Sequence, residues 1–79
     1  MKNIIDKLQK VLFKVTGRKI SLQENKNFQK ELGIDSLTMV EIVLETEEMF
    51  GLAFDQSDLC EEYLKDTSSF LQLLEIKTC

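Results

Sequence analysis

Ser36 stands directly after Asp35 and directly before an apolar-periodic segment, so its hydroxyl and the neighbouring carboxylate meet where a helix must begin. A serine there is by default a helix cap or a bystander. To act as a nucleophile it needs a base within hydrogen-bond reach. The chain has no histidine, and no lysine lies near Ser36 in sequence. That absence removes imidazole-based serine and cysteine triads, histidine metal sites and the usual general base. The hydroxyl can instead accept a modification from another enzyme that brings its own base. The two cysteines, Cys60 and Cys79, are too few for a four-cysteine zinc site or a multi-disulfide framework. Cys60 is followed by Glu61 and Glu62, the opposite of the positive neighbourhood that activates a thiol. It reads as filler near the core, and Cys79 as a free terminal thiol. Asp55, Asp58, Glu61 and Glu62 gather acidity without a calcium-loop pattern, so no metal site is assigned.

Four helices are expected to position these groups. Ile4, Ile5, Leu8, Val11, Leu12 and Val15 recur at three- and four-residue steps, the stripe of an amphipathic helix. Asn3 is its expected cap, Gly17 its stop, and Lys7, Lys10 and Lys14 line its wet side. Phe13 falls off the stripe and should be partly exposed. Residues 17–35 show no sustained period. Ile20 and Leu22 are candidate anchors, and Phe28, Leu32 and Ile34 suggest a turn pinned to the core. So long a connection in so small a domain is usually functional or a crossover. A second helix is expected from Ser36 to Phe50, with Asp35 as N-cap and Gly51 as stop. Asp55 or Ser57 then caps a brief third helix through Leu59, Tyr63 and Leu64. Thr67 opens the last, with Phe70, Leu71 and Leu74 inward and Ile76 near its fraying end. The fold class is all-α: a four-helix bundle with a long first loop and a short third helix, one domain over residues 1–79.

The second helix has two apolar faces. At about 100° per residue, Met39, Ile42, Val43, Thr46, Met49 and Phe50 share one side. Leu37, Val40 and Leu44 share the other, with Glu41, Glu47 and Glu48 beside them. A surface helix of a small bundle needs one buried stripe. The broader one, with Val43 and Phe50, should be core. Pattern alone leaves the narrower stripe open: a neighbouring element covers it, or it docks a partner. The carboxylates favour docking. Glu41 and Glu45 stand four apart, and Glu45 and Glu48 three apart, with no lysine between Glu31 and Cys60. Each such like-charge pair destabilises a helix by about 0.2–0.5 kcal/mol.

At 79 residues, 43% hydrophobic and 30% charged, the chain has the composition of a small folded domain. Zero proline and three glycines favour helices over a turn-rich β fold. The net charge of −4 hides a division: residues 1–30 carry eight basic side chains against Asp6 and Glu24, and residues 31–79 carry twelve acidic ones against Lys65 and Lys77. The acidic part repels a nucleic-acid backbone and suits a basic protein surface. No apolar run approaches membrane-spanning length, and the lysine-dotted start lacks a secretory core. The expected protein is cytoplasmic and monomeric, with neither nucleic acid nor membrane as partner.

Leu32-Gly33-Ile34-Asp35-Ser36-Leu37-Thr38-Met39-Val40-Glu41, followed in register by Glu45-Thr46-Glu47-Glu48-Met49-Phe50-Gly51, resembles the acyl carrier proteins. The likeness extends over nearly the whole chain, including helix order and the long first loop. It implies that Ser36 receives a 4′-phosphopantetheine arm from coenzyme A, with Asp35 helping to present it to the phosphopantetheinyl transferase. It implies that the following helix is the recognition helix, with Leu37, Val40, Glu41, Leu44, Glu47 and Glu48 as docking residues. The implied role is a carrier and not an enzyme. Partners would be an acyl- or aminoacyl-loading enzyme and synthases with basic docking patches. The Glu-rich helix ending in Met49-Phe50-Gly51 looks more like fatty-acid or polyketide carriers than like a stand-alone aminoacyl or peptidyl carrier. An unmodified acidic adaptor is the rival from another class. Thr38 stands where the family often has an acidic residue, and Thr46 where it often has an apolar one. In a core position, Thr46 calls for a bond from its hydroxyl back to the Ile42 carbonyl, or for a slightly polar interior.

Overall fold

The structure, a computed structural model, describes residues 2–78. Cys79 lies outside them. Four helices follow in order: α1 (Lys2–Thr16), α2 (Ser36–Phe50), α3 (Glu61–Leu64) and α4 (Thr67–Thr78). The fold class is the all-α bundle that the periodicity predicts.

In α1, Leu8, Val11 and Leu12 are fully buried, with Ile4, Ile5 and Val15 packed at the edge of the core. The helix begins at Lys2, so Asn3 lies within its first turn and is not its cap. Gly17 ends it in the left-handed region (φ +74°), donating its amide to the Phe13 carbonyl at 2.8 Å. Phe13 is half exposed, as its place off the stripe requires.

The long loop is held by its side chains. Ile20, Leu22, Phe28, Leu32 and Ile34 are all buried, so the connection is part of the core. Asn27 organises its second half: its Oδ1 accepts from the Gln29 and Lys30 amides, and its carbonyl accepts from those of Glu31 and Leu32. Asn27 also makes an isolated antiparallel bridge with Asp66. Phe28 donates to the Lys65 carbonyl at 3.0 Å, and Thr67 donates to the Lys26 carbonyl at 2.9 Å. Phe28 then meets Phe70 of α4 edge-on, ring centroids 6.0 Å apart. The loop thereby crosses from the end of α1 to the start of α2 by way of the α3–α4 corner.

On α2 the buried residues are Met39, Ile42, Val43 and Thr46. Thr46 is fully buried and its hydroxyl donates to the Ile42 carbonyl at 2.6 Å, one of the two alternatives open for it, the other being a slightly polar interior. The expected core stripe is shortened at its end. Met49 is exposed, and Phe50 is only half-buried, with the Lys7 ammonium 5.4 Å from its ring centroid. Two further expectations are corrected. α3 starts at Glu61, with Cys60 at its N-cap and no side-chain bond there. Asp55 instead opens a separate turn, its carbonyl accepting from Asp58 and its amide donating to the Asp58 carboxylate, and Leu59 is exposed. In α4 the third inward residue is Leu73, while Leu71 is half-buried. The 3.6-residue period places both 73 and 74 beneath Phe70.

Candidate functional site

Ser36 is the first residue of α2 and is exposed. Asp35, also exposed, precedes it in an extended conformation (φ −85°, ψ 178°), and its Oδ1 accepts from the Thr38 amide at 2.8 Å. Its carbonyl accepts from Met39 at 2.9 Å. The aspartate is therefore occupied as the N-cap, and the serine need not supply the cap itself. Among the described residues Ser36 Oγ has no hydrogen-bond partner, so the hydroxyl is open to reagents from solvent. The first-turn amides and the positive end of the helix dipole lie beside it, an environment suited to an anionic group.

The Thr38 amide bond holds the Asp35 carboxyl below its ordinary value. Asp58 is likewise lowered, by Lys77 and the Asp55 amide. Burial pushes Asp66 up, but bonds from Ser69 and Asn25 and the nearby Lys65 outweigh it and leave the group lowered. A depressed carboxyl stabilises the fold above its unfolded-state pKa and loses that contribution as pH falls through the folded-state value. Melting temperature should therefore fall on acidification below about pH 4, the ordinary carboxylate range. Asp35→Asn keeps a capping oxygen without the titration and should flatten part of that fall. An acid limb of unchanged steepness in the variant would contradict the capping account.

The narrower stripe of α2 is uncovered: Leu37 is 72% exposed, Val40 53% and Leu44 58%. They run from the serine down one side of the helix, while Ile42 on the opposite side is fully buried. Glu41 and Glu48 flank the stripe and are exposed. Glu47 is placed differently. It is half-buried, and its Oε2 accepts from the Phe54 amide at 2.7 Å, tying the chain after the helix back onto it. Gly51, left-handed at φ 65°, completes that turn with its amide on the Glu47 carbonyl.

Glu45 is paired across helices, with Lys14 Nζ 2.9 Å from its Oε2. The acidic run of α2 thus receives counter-charge from α1, through a long-range contact that local spacing does not announce. The wet side of α1 is only partly free, since Lys14 reaches Glu45 and Lys7 reaches Phe50. Farther away, Lys77 lies 2.8 Å from Asp58 and 3.7 Å from Asp55. Among the described residues no group of three or more potential metal ligands gathers, and no helix is long and apolar enough to cross a membrane.

Glu41 and Glu48 remain without an ion-pair partner among the described residues. Replacing both with glutamine should raise the melting temperature at low ionic strength. Added sodium chloride should do the same for the parent, because the screening length shortens from about 8 Å at physiological salt to about 3 Å at one molar. A double variant that melts below the parent at low salt would show that these charges do not strain the helix.

The family model described as the phosphopantetheine attachment site matches residues 6–74. The meromycolate extension acyl carrier protein of Mycolicibacterium aurum is 36% identical over 74 residues, 91% of this chain and 76% of the relative. The acyl carrier protein of Rhodococcus erythropolis is also 36% identical over 74 residues, covering 91% of this chain and 81% of its own length. No solved structure matches.

Proposed function

This chain belongs to the acyl carrier proteins, which carry phosphopantetheine and are not catalysts, and from that premise we propose that Ser36 is the attachment hydroxyl and α2 the docking helix. The observation that carries the reading is the exposed serine at the head of α2, its hydroxyl without a partner among the described residues, with an uncovered apolar stripe descending from it. The site fits the group: a phosphodiester is anionic, and the first turn of a 15-residue helix offers amides and a favourable dipole. The arm supplies a terminal thiol that holds acyl groups as thioesters. The protein's own part is to present the hydroxyl, keep Asp35 beside it for the phosphopantetheinyl transferase, and offer an address to each enzyme in turn. A cargo on such a tether is available to a docked enzyme at high effective concentration.

The proposed partners are synthases and loading enzymes with basic patches, in fatty-acid or polyketide-type synthesis. The names of the relatives, one of them for meromycolate extension, and the glutamate-rich α2 support that choice. Leu37, Val40 and Leu44 would supply apolar contact, and Glu41 and Glu48 electrostatic steering. Glu47 would contribute mainly by fixing the end of the helix. Steering raises association rates and fades with ionic strength. The test arms the chain with coenzyme A and a broad-specificity transferase, then offers it to a malonyl transferase and to an aminoacyl-adenylating enzyme. Retention of malonate as a thioester is expected. Loading by the aminoacyl enzyme alone would overturn the pathway reading. With the malonyl transferase, Glu41→Gln/Glu48→Gln should load more slowly than the parent at low salt, and an unchanged rate would remove these carboxylates from the address.

A further inference from the structure

Just beyond the end of α1, one side chain spans the first loop. Arg18 is exposed, yet its Nη2 donates to the Leu32 carbonyl, 14 residues further along. Its backbone is fastened to the helix: the Thr16 hydroxyl donates to the Leu12 carbonyl at 2.6 Å and accepts from the Arg18 amide at 3.2 Å. Leu32 is buried, and among the described residues Arg18 is the one donor to its carbonyl. A polar group in such a place needs a partner. The Leu32 amide donates to the Asn27 carbonyl at 3.1 Å, and the Ile34 amide to the Phe28 carbonyl at 2.8 Å. Gly33 stands between them, left-handed at φ 63°. Asp35 and Ser36 follow at once. The segment that delivers Ser36 is thus tied to the α3–α4 corner through Phe28 and to α1 through Arg18.

We propose that Arg18 is a positioning residue for phosphopantetheine transfer: its bond to Leu32 fixes the segment that presents the Ser36 hydroxyl to the transferase. This rests on the reading of Ser36 as the attachment hydroxyl. A hydroxyl held in one geometry reacts as if at high effective concentration, and a small misplacement slows the step. The exposed stripe of Leu37, Val40 and Leu44 lies on α2 itself, beyond the tied segment. Loosening the tie therefore costs turnover and leaves docking intact.

The test compares the parent with Arg18→Met, which keeps an unbranched stem and loses every donor, and with Arg18→Lys, which keeps the charge and a donor. Amide exchange in the unmodified chain comes first and needs no transferase. The Ile34 amide should exchange several-fold faster in Arg18→Met, with those of Ile42 and Val43 unchanged, as a local opening requires. In transfer from coenzyme A, kcat for Arg18→Met should fall several-fold at an unchanged KM for the carrier. Arg18→Lys should recover most of both losses, since one carbonyl needs one N–H. Unchanged exchange at Ile34, or equal acceleration at all three amides, would overturn the proposal. So would a rise in KM alone, the mark of a direct contact with the transferase, or a lysine variant as slow as the methionine one. Failure of the parent itself to accept the arm would overturn the reading of Ser36, and with it this role, while the exchange result would still report on the tie between Arg18 and Leu32.

Discussion

Ser36→Ala is expected to abolish the mass gain that the parent chain shows with coenzyme A and a phosphopantetheinyl transferase, while leaving the helical circular-dichroism spectrum unchanged. The loss should be all-or-none, because alanine has no atom to bear a phosphodiester. The fold should tolerate the change for separate reasons. Ser36 is exposed, its hydroxyl has no partner among the described residues, and the cap is made by Asp35. Alanine is also the better helix former. A variant that still gains the arm would place the attachment elsewhere. A variant that loses its helical spectrum would show that the serine holds the helix start.

The second large effect separates the two faces of α2. Ile42 is fully buried, whereas Leu44, on another face of α2, is 58% exposed. Ile42→Ala should cost about 2–5 kcal/mol through lost burial and the cavity left behind. Leu44→Ala should stay within about 0.5 kcal/mol, the usual range for an exposed change. For a domain of this size each kcal/mol moves the melting temperature by about 4–8 °C, so the two variants are readily told apart. Ile42→Val, at about 0.5–1.5 kcal/mol, serves where the alanine variant is unfolded. Leu44→Ala should nonetheless slow loading and transfer by a docked enzyme. Equal destabilisation by Leu44→Ala and Ile42→Ala would mean that both faces of the helix are core.

What the sequence disclosed, and what it withheld, divides by range. α1 and α2 were legible because each combines a 3.6-residue apolar period with a glycine stop, and Asp35 was legible as a cap because it immediately precedes such a period. A polar residue on an otherwise apolar stripe left two readings for Thr46, a back-bond to Ile42 or a slightly polar interior, and the structure shows the back-bond. The burial of five loop residues was only half legible. Ile20, Leu22, Phe28, Leu32 and Ile34 stood out as apolar, but the bridge between Asn27 and Asp66 joins residues far apart in sequence and leaves no periodic trace. The start of α3 was misjudged because Asp55 and Ser57 are good caps in isolation; Asp55 and Asp58 instead close a turn and share Lys77. Phe50 was expected in the core from its angle alone. At the last turn of α2 it is only half-buried, packed at the edge of the core with Lys7 of α1 over its ring. At the candidate site, the head of α2 and its exposed stripe were readable from spacing. The Lys14–Glu45 pair was not, since it depends on how two helices pack.

The most direct test of the central claim is intact-mass and fragmentation analysis of the parent chain after incubation with coenzyme A and a broad-specificity transferase. A single phosphopantetheine addition, with fragment ions assigning it to Ser36, is the result expected of a carrier whose α2 begins with an exposed serine. An unchanged mass under conditions that modify a known carrier, or an arm located on any other residue, would contradict it.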